Sequence, residues 1–553
     1  MTRCFQKPSG HLTLAIAPLG CHPDQKVIEK CSVRREGLWQ NHRMESIGPA
    51  QLPEMSSTTD RGAISWFPVA AATVFGLAIA GIAGTHIVAL GIIVPLVIGI
   101  AWTQPRTLLL FLAVWLIELG LIRRVVTSGG SVGLSGDPLL IVGPLIILCL
   151  LLVMSSGRGA YTGRSTMASV VLGLNILALV EVINPGQGTI MVGLGGLLFM
   201  LIPVCAFWIG RGLLDEDLAR QLLWVVAIVG AMSAAYGLFQ TFGGFPSWDK
   251  DWLKTKAYRA LVVHGQAVRA FGTMSSSQDY AAFMSVTMMA WVALLVDKVR
   301  RVPRWFNMAM IVLAGTALFY SSVRTAAALT VVALSVVVCA VRRLSLSMAV
   351  VAAPMLVVAA FLGLQLIGNG SSTSDTGGAK TSTQVLANHQ LSGLTDPTGS
   401  NSSLNGHVSA TLKGMSKAVT KPVGDGVGAV TLAAGRFNNG KAFNNNTEFD
   451  PGNMSVAFGM LGLGGYLAVL LLGLSRTYRM ATTRRDSISI FCLGVVMVML
   501  LEWFNGDLYA SSWLVWLCLG FVDGNEMRLE EAADDLARVS TPLVTSRRRW
   551  STS

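Results

Sequence analysis

The ten residues SSVRTAAALT, 321–330, set one guanidinium between two apolar runs, FNMAMIVLAGTALFY before it and AAALTVVALSVVVCA after it. A charge at hydrocarbon depth costs at least a few kcal/mol, so Arg324 needs a shallow position or a partner. A second arginine, Arg269 in RAFGTMSSSQDYAAF, stands just ahead of another apolar run. Guanidiniums bind anions through paired, charge-assisted hydrogen bonds. Between residues 369 and 452 the candidates to take a proton are His407, Glu448 and Asp450. The same stretch contains KPVGDGVGAV, where Gly424, Gly426 and Gly428 either let backbone approach a ligand closely or form a plain turn. An anion clamp and a base would form one site only if the chain brings them to the same side of the same element set.

The composition says what that element set is. Of 553 residues 52% are hydrophobic and 13% charged, and apolar stretches long enough to cross a bilayer recur along the chain. The fold class is an all-α polytopic membrane protein with about twelve to fourteen transmembrane helices. The candidate spans are 64–84, 86–103, 107–122, 138–154, 167–184, 189–210, 218–242, 278–296, 306–323, 325–341, 346–368, 453–475, 487–504 and 508–522. With an N-terminus in the cytoplasm, the loops containing Arg106, Arg158 and Arg164, Arg211 and Arg220, Arg300 to Arg304, Arg342 and Arg343, and Arg476 to Arg485 all fall inside. That is the positive-inside bias. Only Arg123 and Arg124 break it among the short outside turns.

This topology divides the chain into a disordered cytoplasmic tail (1–62), an N-terminal bundle (63–242), a basic external loop (243–277), spans flanking the Ser-Arg motif (278–368), a large external loop (369–452), C-terminal spans (453–522) and a second cytoplasmic tail (523–553). Within that tail EMRLEEAADDLARV reads as a short helix. The net charge of +12 sits mostly in loops between spans, so nucleic acid is not implied. The eight cysteines lie in the tail or in and beside apolar segments, which implies no disulfide framework. The histidines are scattered and no cysteine joins them, so no metal site or cofactor is expected.

The first long loop carries Lys250, Lys254, Lys256, Arg259 and Arg269 against Asp249 and Asp251. Either this is a solvated face or it attracts an anion at the outer surface. Trp248, Trp252 and Tyr258 suit the headgroup level, and AYRALVVHGQAVRAF, 257–271, has the character of a helix lying along the interface.

Four stretches together resemble the O-antigen ligase and Wzy-type polymerase superfamily. RAFGTMSSSQDYAAF is similar to its arginine-glycine-small-polar lead into a span, and SSVRTAAAL to its Ser-Arg-small signature. DPTGSNSSLNGHVSATLKGMSKAVTKPVGDGVG resembles the opening of its large external loop, and NNTEFDPGNMSVAFGMLGLGGYLAVLL the return into the membrane. The resemblance covers roughly 218–522. It implies a GT-C-like, metal-independent glycosyltransferase in the cytoplasmic membrane with its loops outside. The donor would be an undecaprenyl-pyrophosphate-linked glycan and the acceptor a glycan, a lipid-linked glycan or another hydroxyl. Relatives commonly carry a histidine near the end of the large loop, where this chain has Glu448 and Asp450, and many have arginine where His407 stands.

Such transfer needs a counter-charge for the departing pyrophosphate and a base for the acceptor hydroxyl. Arg324 and Arg269 are the first candidates for the pyrophosphate, with Arg259 and Lys256 beside them. The alternative for Arg324 is a snorkelling or carboxylate-paired structural role. Glu448 is the first candidate base, then Asp450 and His407. Glu118, Glu181 and Glu502, at or near span ends, read as inter-helix hydrogen-bonding groups. A competing reading is a flippase or exporter of lipid-linked glycan, although no convincing repeat relates the two halves. A third is a non-catalytic scaffold.

Overall fold

The computed structural model describes residues 86–127, 138–155, 165–254, 262–263, 265, 267–297, 302–370, 381–395, 404–437, 446–447, 449–505, 508 and 510–540. Their helices are, in chain order, α1 (His86–Thr103), α2 (Pro105–Thr127), α3 (Val142–Ser155), α4 (Thr166–Val180), α5 (Ile190–Gly212) and α6 (Glu216–Phe242). A short α7 (Ser247–Lys254) and two strands, β1 (Val262–Val263) and β2 (Ala267–Val268), lead to α8 (Ser277–Val296), α9 (Arg304–Tyr320), α10 (Arg324–Val341) and α11 (Leu346–Gly370). Then come α12 (Ser382–Thr395), α13 (Leu404–Thr420), α14 (Leu432–Phe437), α15 (Asp450–Arg484), α16 (Ser487–Val498) and α17 (Ser512–Ser540).

Six stretches are long and apolar enough to cross a membrane: Thr166–Ile183, Ile190–Gly212, Glu216–Phe242, Ser277–Val296, Arg324–Val341 and Asp450–Arg484. Shorter apolar helices stand beside them. The protein is therefore an all-α, multi-pass membrane protein. Every candidate span from residue 86 onward overlaps a helix, although the helix within 487–504 ends at Val498 and leaves 499–504 as a connection, and the candidate 64–84 lies outside the described residues. Leu172, Ile176 and Leu179 on α4, and Val350, Val351 and Met355 on α11, are exposed. Apolar side chains in such number on helix surfaces suit a hydrocarbon solvent, in which helices satisfy their own backbone groups.

Polar residues at the span ends start the helices where the apolar runs begin. Asp215 caps α6 by accepting from Leu218 N, Ser276 caps α8 by accepting from Asp279 N, and Asp486 forms a reciprocal capping box with Ser489 on α16. At the other end of the bundle α17 continues unbroken past residue 523. EMRLEEAADDLARV is thus the continuation of the last span rather than a separate short helix.

That continuation carries Asp523, wholly buried, whose carboxylate pairs with Arg211 Nε at 3.0 Å, with Arg476, and with the Ser165 hydroxyl at 2.7 Å. One carboxylate ties α4, α5, α15 and α17 together and is shared by two arginines, of which Arg476 also meets Glu526 at 3.3 Å.

The loop 243–277 differs from expectation. Instead of an interfacial helix over 257–271, the chain doubles back, pairing Val262 with Val268 and Val263 with Ala267. The reversal has Gly265 at φ 69°, a conformation open to glycine, and β-branched valines suit the paired strands. Trp252 is 4% exposed and its indole faces Ser275 O, while Trp248 Nε1 donates to the Tyr236 hydroxyl. Both rings bond to protein, and Tyr258 lies outside the described residues.

Replacing Asp523 with alanine leaves Arg211 buried without its counter-charge. Thermal unfolding in detergent is expected to show a loss of about 3–5 kcal/mol, larger than for Asp251→Ala, whose pair with Lys254 is exposed.

Candidate functional site

The site is hung from α2. Arg124, near its C-terminal end, is fully buried and forms an ion pair with Asp249 of α7 at 2.9 Å, both side chains wholly inaccessible. The remaining guanidinium nitrogens donate to the carbonyls of Gly272 and Met274, and the group lies 4.5 Å from the Phe271 ring. Asp249 also accepts from Tyr236 Oη at 2.8 Å and Gln240 Nε2 at 2.7 Å, both on α6. Gln240 Oε1 in turn accepts from the amides of Phe271 and Gly272. The Thr273 hydroxyl donates to Ile117 O, and Leu121 N to Thr273 O. The segment 271–275 is thereby held through its own backbone polar groups, which fixes Arg269 on one flank and the start of α8 on the other. Arg123 and Arg124 violate the charge rule for loops because they are not loop charges. They are the buried lining of this knot.

The second arginine is placed by a turn. α9 ends at Tyr320, and Ser322 takes the left-handed conformation, φ 57°, that usually follows a helix C-terminus on glycine. Its hydroxyl donates to Leu386 O on α12 at 3.3 Å. α10 then opens on Arg324 itself, with Val323 as a cap lacking any side-chain bond. A cation at a helix N-terminus opposes the macrodipole, so Arg324 starts α10 against the usual charge preference of that position.

The two arginines meet at His389 of α12. Arg324 Nε donates to His389 O at 3.0 Å, and one terminal nitrogen lies 3.1 Å from His389 Nδ1 and 3.4 Å from Ser392 Oγ. A terminal nitrogen of Arg269 lies 3.3 Å from Nε2 of the same ring. A neutral imidazole has one acceptor nitrogen, so the ring accepts from one guanidinium at a time. Burial, and then the nearby Arg324 charge, hold Arg269 below the usual arginine range.

Around this pair lies a cavity of about 280 Å³, lined by Arg269, Arg324, His389, Gln278, His407 and Glu502, with Asn446, Phe449 and Asn505 completing the wall. Glu502 sits in the connection between α16 and α17, is 7% exposed, and accepts from Gln278 Nε2 at 3.2 Å. Burial pushes its carboxyl up to about 7, against the opposing effect of the Gln278 hydrogen bond. His407 enters from α13, its ring 6.2 Å from Phe449, and burial lowers it below the ordinary imidazole range. Burial thus favours the neutral ring, the form that can accept a proton.

The other sequence candidates fall elsewhere. Asp450 is buried behind the wall, where its amide donates to Leu501 O and its carboxylate accepts from Phe504 N at 3.0 Å. It holds the connection that presents Glu502, and its position is that of a support rather than a cavity-facing base. Glu448, Lys256 and Arg259 lie outside the described residues.

Gly424, Gly426 and Gly428 face protein rather than an open site. α15 is broken at Gly459 (φ 61°, ψ −143°), which frees the helix carbonyls of Val456 and Ala457. They accept instead from the amides of Asp425 and Gly426, while Met460 N donates to Pro422 O. A β-carbon at Gly424 would fall 2.4 Å from Ala457 O, and one at Gly428 2.1 Å from Val192 O. The glycines are needed for this close approach of turn and helices.

Two titratable members of the cavity were not assigned to it from sequence. His389 is an isolated histidine in a polar loop and carries no local signal. Glu502 carries a detectable one, an acidic residue at the end of an apolar run, and its bond to Gln278 of α8 agrees with the inter-helix reading. Comparison with protein families, characterised proteins and solved structures finds no match to this chain.

The raised Glu502 carboxyl links stability to pH. Between 4.5, its ordinary value, and about 7 the folded state holds a proton that the unfolded chain has released. Stability is thus expected to fall as pH rises through that window and to level off above it. Glu502→Gln should flatten this slope in thermal-unfolding midpoints measured across the same range.

Proposed function

We propose that the protein is an integral membrane glycosyltransferase, GT-C-like in architecture, that polymerises or ligates glycan from an undecaprenyl-pyrophosphate-linked donor onto an acceptor hydroxyl. In this reading the cavity opens at the outer face of the cytoplasmic membrane and both termini are cytoplasmic, as the arginine distribution of the loops suggests. The supporting observation is that Arg269 and Arg324, far apart in the chain, converge on one polar cavity that has a buried carboxyl, Glu502, in its wall.

The chemistry follows from that arrangement. The two guanidiniums take up the charge that builds on the bridging oxygen and phosphoryl groups as the sugar–phosphate bond breaks. The new bond forms between the acceptor oxygen and the anomeric carbon, and the acceptor proton passes to a base. Glu502 in its ionised form and neutral His407, both in the cavity lining, are the candidates to receive it. Glu448 adjoins Phe449 of the wall in the chain and is the competing candidate. No step calls for a metal.

Lysine replaces a forked donor with a point charge. Arg324→Lys and Arg269→Lys proteins, correctly inserted, are therefore expected to lose transfer by roughly 100-fold or more, measured as undecaprenyl pyrophosphate released by purified protein from a pyrophosphate-linked donor. Wild-type turnover in both would remove the clamp. A flippase would release no undecaprenyl pyrophosphate.

If Glu502 is the base, the rate should rise with pH through about 7 as the carboxyl loses its proton. Glu502→Gln should abolish that limb. An unchanged profile in the variant would transfer the role to His407 or Glu448.

A further inference from the structure

α13 combines three faces that together specify its surroundings. At about 100° per residue, His407, Thr411, Gly414 and Ala418 share one face. This is the face that meets α15 and the segment before it: Thr411 bonds Thr447 O, and a β-carbon at Gly414 would touch Gly452. Val408, Leu412, Met415 and Val419 form a second stripe about 60° wide, turned roughly 100° from the first. Of these Val408 is 44%, Leu412 59% and Val419 74% exposed, and Val423 just beyond the helix is 65% exposed. Lys413 and Lys417 lie on the far side from this stripe, and Lys421 follows them. Lys421 and Lys417 also face Asp425, at 2.6 and 3.7 Å.

The helix also has a definite height in the bundle. Pro422, just after it, bonds Met460 at the break in α15. Arg476, among the arginines gathered around Asp523, lies sixteen residues further along α15, about 24 Å. That is close to the thickness of a bilayer's hydrocarbon core, about 30 Å. α13 therefore stands at the boundary opposite the arginine-rich end, with an apolar stripe that no described residue covers and lysines on its polar side.

We propose that α13 is an interfacial helix: its Val408–Leu412–Val419 stripe lies among acyl chains, and Lys413 engages the headgroups of anionic phospholipids. An amphipathic helix with lysines opposite an apolar stripe has this preference. The proposal is independent of any reaction in the cavity. Because the same helix brings His407 to the cavity wall, lipid contact along α13 sets the cavity at headgroup depth.

The test uses full-length protein in vesicles of phosphatidylethanolamine and phosphatidylglycerol, with photoreactive benzoylphenylalanine placed at Leu412 and, separately, at Lys417. Mass spectrometry after irradiation is expected to find phospholipid adducts at Leu412 at several times the yield at Lys417. Adducts at Leu412 only to other segments of this chain or to another protein, or no adducts, would overturn the burial of the stripe in lipid. Thermal unfolding with added phosphatidylglycerol against phosphatidylcholine reads the headgroup contact. A Lys413→Gln protein should lose at least half of the difference between the two lipids, and an undiminished difference would overturn that contact.

Discussion

A buried ion pair, Arg124 with Asp249, is the constraint from which the site is built. Two opposite charges with no access to solvent survive only when each is also hydrogen-bonded. Here the additional partners are the carbonyls of 272 and 274 and the side chains of Tyr236 and Gln240. Satisfying the charges therefore pins the backbone between α7 and α8. The energetic need of one guanidinium and the placement of Arg269 are the same fact seen from two sides.

The opposite wall rests on a different device. α15 gives up its regular hydrogen bonding at Gly459, and the turn 422–426 supplies replacement partners for the groups thereby freed. Backbone polar groups inside a membrane protein must be paired, so the break and the glycine-rich turn depend on each other. The helical turns before the break then hold Asp450 against the connection 501–504, which sets Glu502 in the cavity.

Between these walls two cations and a buried carboxyl stand close together. Two guanidiniums share one imidazole, one of them stands at the positive end of a helix, and the facing carboxyl keeps its proton to about neutrality. A site arranged in this way gains electrostatic stabilisation when an anion with several acceptor oxygens enters. The physical argument for phosphate chemistry is this convergence of guanidinium donors on one polar cavity, more than the identity of any single residue. α13 contributes to both the site and its surroundings, with His407 on its inner side and an apolar stripe on its outer side.

The sequence by itself determined the class of the protein and marked two arginines, Arg269 and Arg324, that line the candidate site. Recurrent apolar runs set helices at the places where they are found, and arginines at the ends of such runs mark where a charge can be tolerated. Local rules failed where partners are distant. Arg123 and Arg124 read as misplaced loop charges because Asp249 and Trp252 lie far along the chain, and Val262 to Val268 read as helix because their pairing and the α12 contacts of Val263 and Ala267 have no local periodicity. The glycine run invited a ligand because the carbonyls it serves belong to a helix break. Only tertiary packing decided that His389 and Glu502 stand with Arg269 and Arg324, while Asp450 stands behind the wall. Periodicity records which side of a helix is apolar, whereas the meeting of side chains from α8, α10, α12, α13 and the last connection depends on how whole helices cross.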